Sequence, residues 1–227
     1  MADPMRMADV CSGIGGATRG YQRAGFHVTG VDINRFRDYC GDGFVRMDAV
    51  AFLYEFGRGY DFLHASPPCF AHSALTKGTN QGRTYRDIIP EVREALNWTG
   101  VPWVMENVAG APIRHDLMLC GEMFGLGVIR HRYFEFGNMD PLPKRTDPAH
   151  RGRVAGWRHG VYFDGPYVAV YGDGGGKGSV ADWQRAMGID WTVDRGGIAR
   201  AIPPDYAQHI GSHVAGRIRA SQEVTVK

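Results

Sequence analysis

Over the first 137 residues, apolar positions fall into short runs separated by stretches of helical spacing. Met5 to Val10 predicts a strand, and Gly13-Ile14-Gly15-Gly16 opens a helix running through Gln22 and Arg23. His27 to Ile33 predicts a second strand, with Asp32 near its end. Phe44 to Asp48 predicts a third, followed by a helix from Ala49 to Phe56. Tyr60 to Ala65 is the fourth. Ser73 to Arg83 is polar and predicts a mobile loop. A helix from Ile88 to Trp98 takes Asp87 as its N-cap, with Pro90 in the tolerant first turn. Pro102 to Val108 is the fifth strand and Val128 to Phe136 the sixth. Strands alternating with helices predict an α/β fold with a doubly wound, mainly parallel sheet.

The pattern changes after Gly137. Met139 to Ile202 is rich in Pro, Gly and Arg and shows little periodicity. A final helix is predicted from Asp205 to Ser221, where Tyr206, Ile210, Val214 and Ile218 form an apolar stripe that should dock on the first region. The chain therefore reads as three parts: 1–137, 138–200 and 201–227.

A length of 227 residues suits one sizeable α/β domain. There is no membrane-length apolar run, and Met1 to Met7 does not read as a signal peptide, so no membrane partner is expected. The net charge is only +2, so a polyanion must be met by a local basic patch. Cys11, Cys40, Cys69 and Cys120 make no close metal-binding pair and no disulfide framework. They read as reduced thiols in a cytosolic setting, with no metal.

Ser66-Pro67-Pro68-Cys69 follows the fourth strand. Two prolines restrict the backbone and hold the thiol on a rigid turn at the sheet edge. A lone cysteine is more often buried and structural, so its weight comes from its neighbours in sequence. Asp9-Val10-Cys11-Ser12-Gly13-Ile14-Gly15-Gly16 is a strand feeding a glycine turn and a helix N-terminus, which favours close approach of a ligand. Asp32 stands where an acid commonly accepts from ribose hydroxyls, and Asp48 where one could meet an adenine amine. Each alone reads as a tight turn or a solvated strand end; together, in order, they favour an adenosine-containing cofactor. Glu106 ends an apolar strand, where desolvation raises a carboxyl pKa and suits proton donation. Arg130 and Arg132 are predicted on one face of the sixth strand, suited to a phosphate or carbonyl oxygen.

Taken together, these motifs resemble the carbon-5 cytosine DNA methyltransferases, and they do so in family order along nearly the whole chain. The resemblance implies a Rossmann-like S-adenosylmethionine-dependent methyltransferase fold. It assigns Cys69, Glu106, Arg130 and Arg132 to catalysis. It assigns Asp9, Cys11, Ser12, Gly13, Gly15, Gly16, Asp32, Ile33, Asp48, Ala49, Pro67, Ser212 and His213 to S-adenosylmethionine. Region 1–137 becomes the catalytic and cofactor-binding domain, 138–200 a reduced target-recognition region, and 201–227 a helix returning to the catalytic domain. The partner implied is double-stranded DNA, bound by a monomer in the cytoplasm of a bacterial or phage-infected cell; the compact form resembles phage-encoded members. Lys77, Arg83 and Arg86 would close over DNA, and Lys144, Arg145, Arg151, Arg153 and Trp157 would contact it. The sequence departs from the family at Cys11, where Phe is usual, at Phe70, where Gln is usual, and at Val128, again usually Gln. Two alternatives stay open: a related pyrimidine carbon-5 enzyme acting on RNA or transferring another group, and a silent DNA-binding relative.

Overall fold

The computed structural model describes residues 4–68, 86–158, 160–172 and 178–225. Nine strands and six α-helices are described. The strands are β1 (Met5–Val10), β2 (Phe26–Asp32), β3 (Gly43–Arg46), β4 (Phe62–Ala65), β5 (Trp103–Asn107), β6 (Leu117–Leu119), β7 (Arg132–Gly137), β8 (Gly156–Arg158) and β9 (Val161–Phe163). The helices are α1 (Gly16–Arg23), α2 (Ala49–Phe56), α3 (Ile89–Thr99), α4 (Val180–Met187), α5 (Arg195–Arg200) and α6 (Pro204–Thr225).

Among the described residues, seven strands form one sheet in the order β3-β2-β1-β4-β5-β7-β6. The first five pair in parallel, whereas β7 runs antiparallel to β5 and to β6. The central strands are buried on both faces, and their side chains divide between two cores with a period of two. Met7, Phe62 and Val104 point to the side covered by Tyr21 of α1 and by Tyr206, Ile210 and Val214 of α6. Ala8, Leu63 and Met105 point to the other side, covered by Phe52 and Leu53 of α2 and by Val92 and Leu96 of α3. The predicted stripe of the last helix is thus the face that docks, with Ile218 partly buried at its end.

The predicted elements are largely found, with three corrections. The sixth predicted strand begins at Arg132 rather than Val128, and its partners are antiparallel. Residues 128–131 therefore only lead into it, and Arg130 does not share a strand face with Arg132. A short strand, β6, precedes it and was hidden by its length of three residues. The region after Gly137 is also less irregular than its composition suggests. It holds the β8–β9 hairpin and helices α4 and α5. α4 did carry a readable start signal, because Ser179 and Asp182 cap each other reciprocally. Trp183, Met187 and Ile198 from these helices join Ile14 and Val128 in a third apolar cluster. Region 138–200 thereby shares a core with the glycine turn.

Asp87 acts near its predicted role. Its Oδ1 accepts from the Ile89 amide at 3.0 Å at the start of α3, and Pro90 sits in the first turn.

Candidate active site

The carboxyl ends of β1, β4 and β5 lie side by side, because these strands are neighbours in the sheet. After β1 the chain turns through Cys11 to Gly16. After β4 it passes through Ser66, Pro67 and Pro68 to Cys69. β5 ends at Glu106 and Asn107. Open parallel sheets bind ligands at this edge.

The turn is built by backbone geometry. Gly15 has φ 93° and caps α1, and a Cβ there would stand 2.7 Å from Cys40 Sγ. Only glycine fits. Cys11 itself adopts φ 60°, which is uncommon for a residue with a side chain and is found at strained functional turns. Gly16 is required for packing rather than for a ligand, since a Cβ there would meet the Ile202 carbonyl oxygen at 2.5 Å. At Gly13, by contrast, a Cβ would meet nothing within 4 Å. The Gly13 amide donates to Asp32 Oδ2 at 3.2 Å, and the Asn34 amide to Asp32 Oδ1 at 2.9 Å. Asp32 therefore ties the end of β2 to the turn. Ile33 beside it is 60% exposed. Asp48 caps α2, its Oδ1 accepting from the Val50 and Ala51 amides, and Ala49 is buried behind it.

Asp9 is buried, its Oδ2 accepting from Thr18 Oγ1 at 2.6 Å while its Oδ1 has no hydrogen-bond partner. Burial lifts its pKa to about 7, against the lowering effect of the Thr18 hydrogen bonds. Ser12 Oγ is buried with no hydrogen-bond partner, an orphaned polar atom in the turn. Ser212 and His213 are not brought to the turn. They lie on the exposed face of α6, bonding back to the Gln208 and His209 carbonyls. Their neighbour Gly211 packs on Tyr21 and Ala24, at the end of α1 away from Gly16. Ala201, Ile202 and Trp191 reach the turn instead, and Trp191 Nε1 donates to the Ile14 carbonyl at 3.0 Å. The sequence offered no periodic signal for that contact.

Glu106 is buried, with Oε1 2.9 Å from Arg132 Nε. Burial raises its pKa, and the Arg132 charge, the Ser66 hydroxyl and the Arg130 charge pull it back. Arg130 itself donates to the Val170 carbonyl at 3.0 Å and the Ala199 carbonyl at 2.7 Å. It holds two later segments against the sheet, and its charge also lowers the Glu106 pKa. Asn107 Nδ2 donates to the Pro67 carbonyl at 2.9 Å, fixing the residues just before Cys69 to the end of β5.

His64 was not singled out by sequence reasoning. It is fully buried, with Nδ1 2.9 Å from Tyr21 Oη and Nε2 2.8 Å from Ser66 Oγ. Burial drops its pKa to about 3, so the imidazole is neutral. With the Ser66 hydroxyl donating to Glu106, one consistent direction follows. Tyr21 donates to Nδ1, Nε2–H donates to Ser66, and Ser66 donates to Glu106.

Burial and the nearby Asp32, Asp9 and Asp48 charges push the Cys11 thiol well up. Burial likewise takes Cys40 to about 11, and its thiol donates to the Gly15 carbonyl. Neither is a thiolate at neutral pH. Cys69, Lys77, Arg83 and the predicted loop from Ser73 to Arg83 lie outside the described residues. Arg86 pairs with Glu91 at 2.9 Å on the surface. Of the basic residues after Gly137, Arg151 is tied to Glu122 at 2.9 Å, and Arg145 lies over the Phe124 ring. Lys144 and Arg153 are exposed, and Trp157, 65% exposed, packs edge-on against Tyr162 across the β8–β9 hairpin.

No family model and no curated protein matches the chain. Solved structures do. A candidate DNA modification methyltransferase encoded within an E. coli prophage aligns with TM-score 0.41 at 18% identity, over 58% of this chain and 45% of that one. A mutant of Spodoptera frugiperda DNMT2 aligns with TM-score 0.43 at 20% identity, over 63% of this chain and 56% of that one. The chain thus spans about half the length of these two. The Entamoeba histolytica methyltransferase EhMeth aligns with TM-score 0.57 at 11% identity, over 96% of this chain and 99% of that one. The fold is a Rossmann-like α/β fold, shared with this Entamoeba histolytica methyltransferase.

Proposed function

We propose that the protein methylates carbon 5 of cytosine in DNA, with Cys69 as nucleophile and S-adenosylmethionine as methyl donor. The observation that carries this reading is the placement of three chemistry-bearing segments on adjacent strand ends. These are the glycine turn after β1, the Ser66-Pro67-Pro68 segment after β4 that precedes Cys69 in sequence, and the buried Glu106 near the end of β5 with Arg132 beside it.

The turn suits the donor. Gly13 faces open space, Ser12 Oγ lacks a partner, Ile33 offers an exposed apolar face, and Asp32 and Asp48 are acids at successive strand ends. These residues would hold the adenosine portion; when bound, the donor supplies an electrophilic methyl group. The chain's own residues make the base reactive. Cys69 as thiolate adds to carbon 6 of the ring, which places electron density on carbon 5. Glu106 bonds the exocyclic amine and ring nitrogen 3, and its burial-raised pKa favours sharing a proton with that nitrogen. Arg132 holds the carboxylate in place from one side and the Ser66–His64–Tyr21 chain from the other. After methylation, the carbon-5 proton leaves and the carbon 6–sulfur bond breaks, restoring the thiolate. Carbons 5 and 6 are stacked inside a duplex, so the base must be flipped out.

Region 138–200 fits a small recognition module. Exposed Lys144 and Arg153 supply phosphate contacts, and the Trp157–Tyr162 face of the hairpin supplies an aromatic surface. So small a module reaches few base edges, so the target is short. Methyl transfer from labelled S-adenosylmethionine onto DNA and RNA substrates, followed by single-base mapping of the product, tests the reading. It predicts label at cytosine carbon 5 in DNA; label in RNA alone, or none, would overturn it.

A further inference from the structure

Cys120, His131 and His150 bring one thiol sulfur and two imidazole nitrogens within 4.8 Å of one another. The register explains the first two. β6 and β7 pair antiparallel with Leu119 opposite Arg132. The next residues outward, Cys120 and His131, therefore face each other across the end of the ladder. His150 arrives from the segment after β7, and its ring stacks on His131 with centroids 5.3 Å apart. Its orientation is fixed from behind. His150 Nδ1 lies 2.7 Å from Glu122 Oε2, while Glu122 Oε1 takes both the Arg151 amide and Arg151 Nε. That leaves His150 Nε2 for another ligand. A carboxylate on the far nitrogen is the usual outer partner of a metal-binding imidazole, setting its tautomer and raising its basicity.

We propose that Cys120, His131 and His150 bind a zinc ion that fastens the segment after β7 to the sheet edge. One thiolate and two imidazoles match Zn²⁺, whereas Mg²⁺ and Ca²⁺ take oxygen ligands. Three protein ligands leave one tetrahedral position for water. As the sulfur–zinc bond forms, the Cys120 thiol proton leaves to solvent and no electron is transferred. The clamp joins the chain carrying Lys144, Arg145 and Arg151 to the Arg130-His131-Arg132 lead-in that delivers Arg132 to Glu106. These ligands come from three separate segments, so no closely spaced cysteine pair announces them in the sequence.

Zinc content by mass spectrometry of the purified full chain, and Co²⁺ titration after zinc removal, test the site. The expected results are about one zinc per chain and a near-ultraviolet thiolate-to-cobalt charge-transfer band. The band should persist in Cys69→Ser and Cys40→Ser and vanish in Cys120→Ser. Because Cys120 is buried and its variant could fail to fold, His150→Gln at an exposed position is the second probe. It should weaken zinc binding by about tenfold or more in competition with a chromophoric chelator. Absence of both zinc and band, a band that follows Cys69 instead of Cys120, or unchanged zinc affinity in His150→Gln would each overturn the proposal.

Discussion

Arg132 reaches Glu106 diagonally across two antiparallel strands: Glu106 faces Phe134, and Arg132, two residues earlier, places Nε 2.9 Å from Glu106 Oε1. Diagonal neighbours of this kind are within reach of long side chains. Both groups are nearly closed to solvent, so removing one leaves the other's charge uncompensated.

Arg132→Ala should therefore destabilise the protein by about 3–5 kcal/mol at pH 8. The direction with pH follows from Glu106. Its pKa is already raised by burial, and losing the Arg132 charge raises it further. A raised carboxyl pKa favours folding at low pH and loses that contribution as pH rises through the folded value. The deficit of the variant should accordingly shrink as Glu106 becomes protonated. Denaturant titrations at pH 5 and pH 8 check this; an equal deficit at both would speak against a pair centred on Glu106.

Asp9 gives a second pH signature. Its pKa is raised from 3.8 to about 7 by burial, so its favourable contribution is complete below pH 3.8 and fades as pH rises through about 7. Asp9→Asn keeps an acceptor for Thr18 Oγ1 and cannot ionise. The variant should gain on the order of 3–4 kcal/mol over the parent between pH 4 and pH 8, at about 1.4 kcal/mol per pK unit. Parallel stability–pH curves for parent and variant would refute the assignment.

Asn107→Ala should leave the Pro67 carbonyl without its donor, at about 1–3 kcal/mol. The larger effect should be on turnover, because Pro67 lies two residues before Cys69. Loss of positioning should lower kcat by about tenfold or more, while S-adenosylmethionine affinity, measured by calorimetry, stays within about twofold. A fall in affinity with unchanged kcat would place Asn107 with the cofactor instead.

The parallel core was legible because its central strands are largely buried and bounded by turn residues, and β1 and α2 have their predicted bounds. The sheet edge was not. β6 has three residues, and the apolar Val128 and Ile129 look like strand but lie beyond the reach of β5 and β6. Residue type singled out Glu106 and Asp32 as candidates, since an acid at a strand end stands out. It could not reveal that Gly16 is needed for Ile202, that Arg130 donates to two distant carbonyls, or that His64 links Tyr21 to Ser66. Those facts depend on partners distant in sequence.

The DNA-binding prediction changes with the structure. Arg151 is held by Glu122 and anchors its own loop, so Lys144 and Arg153 are the better phosphate contacts. Neutralising Lys144 and Arg153 together should weaken DNA binding and reduce the slope of log K against log salt by about 2. Cofactor affinity should not change. An unaltered slope in fluorescence anisotropy across a salt series would remove this surface from the DNA interface.

The central claim is covalent attack by Cys69 on cytosine carbon 6, and a trapped adduct tests it most directly. Duplex DNA carrying 5-fluorocytosine at the target should form a stable protein–DNA complex in the presence of S-adenosylmethionine, because fluorine cannot leave as the carbon-5 proton does. Peptide mapping should place the base on Cys69. Cys69→Ser should form no adduct and lose turnover while keeping its fold and its DNA binding. An adduct mapped to another residue, or near-normal turnover in Cys69→Ser, would contradict the account.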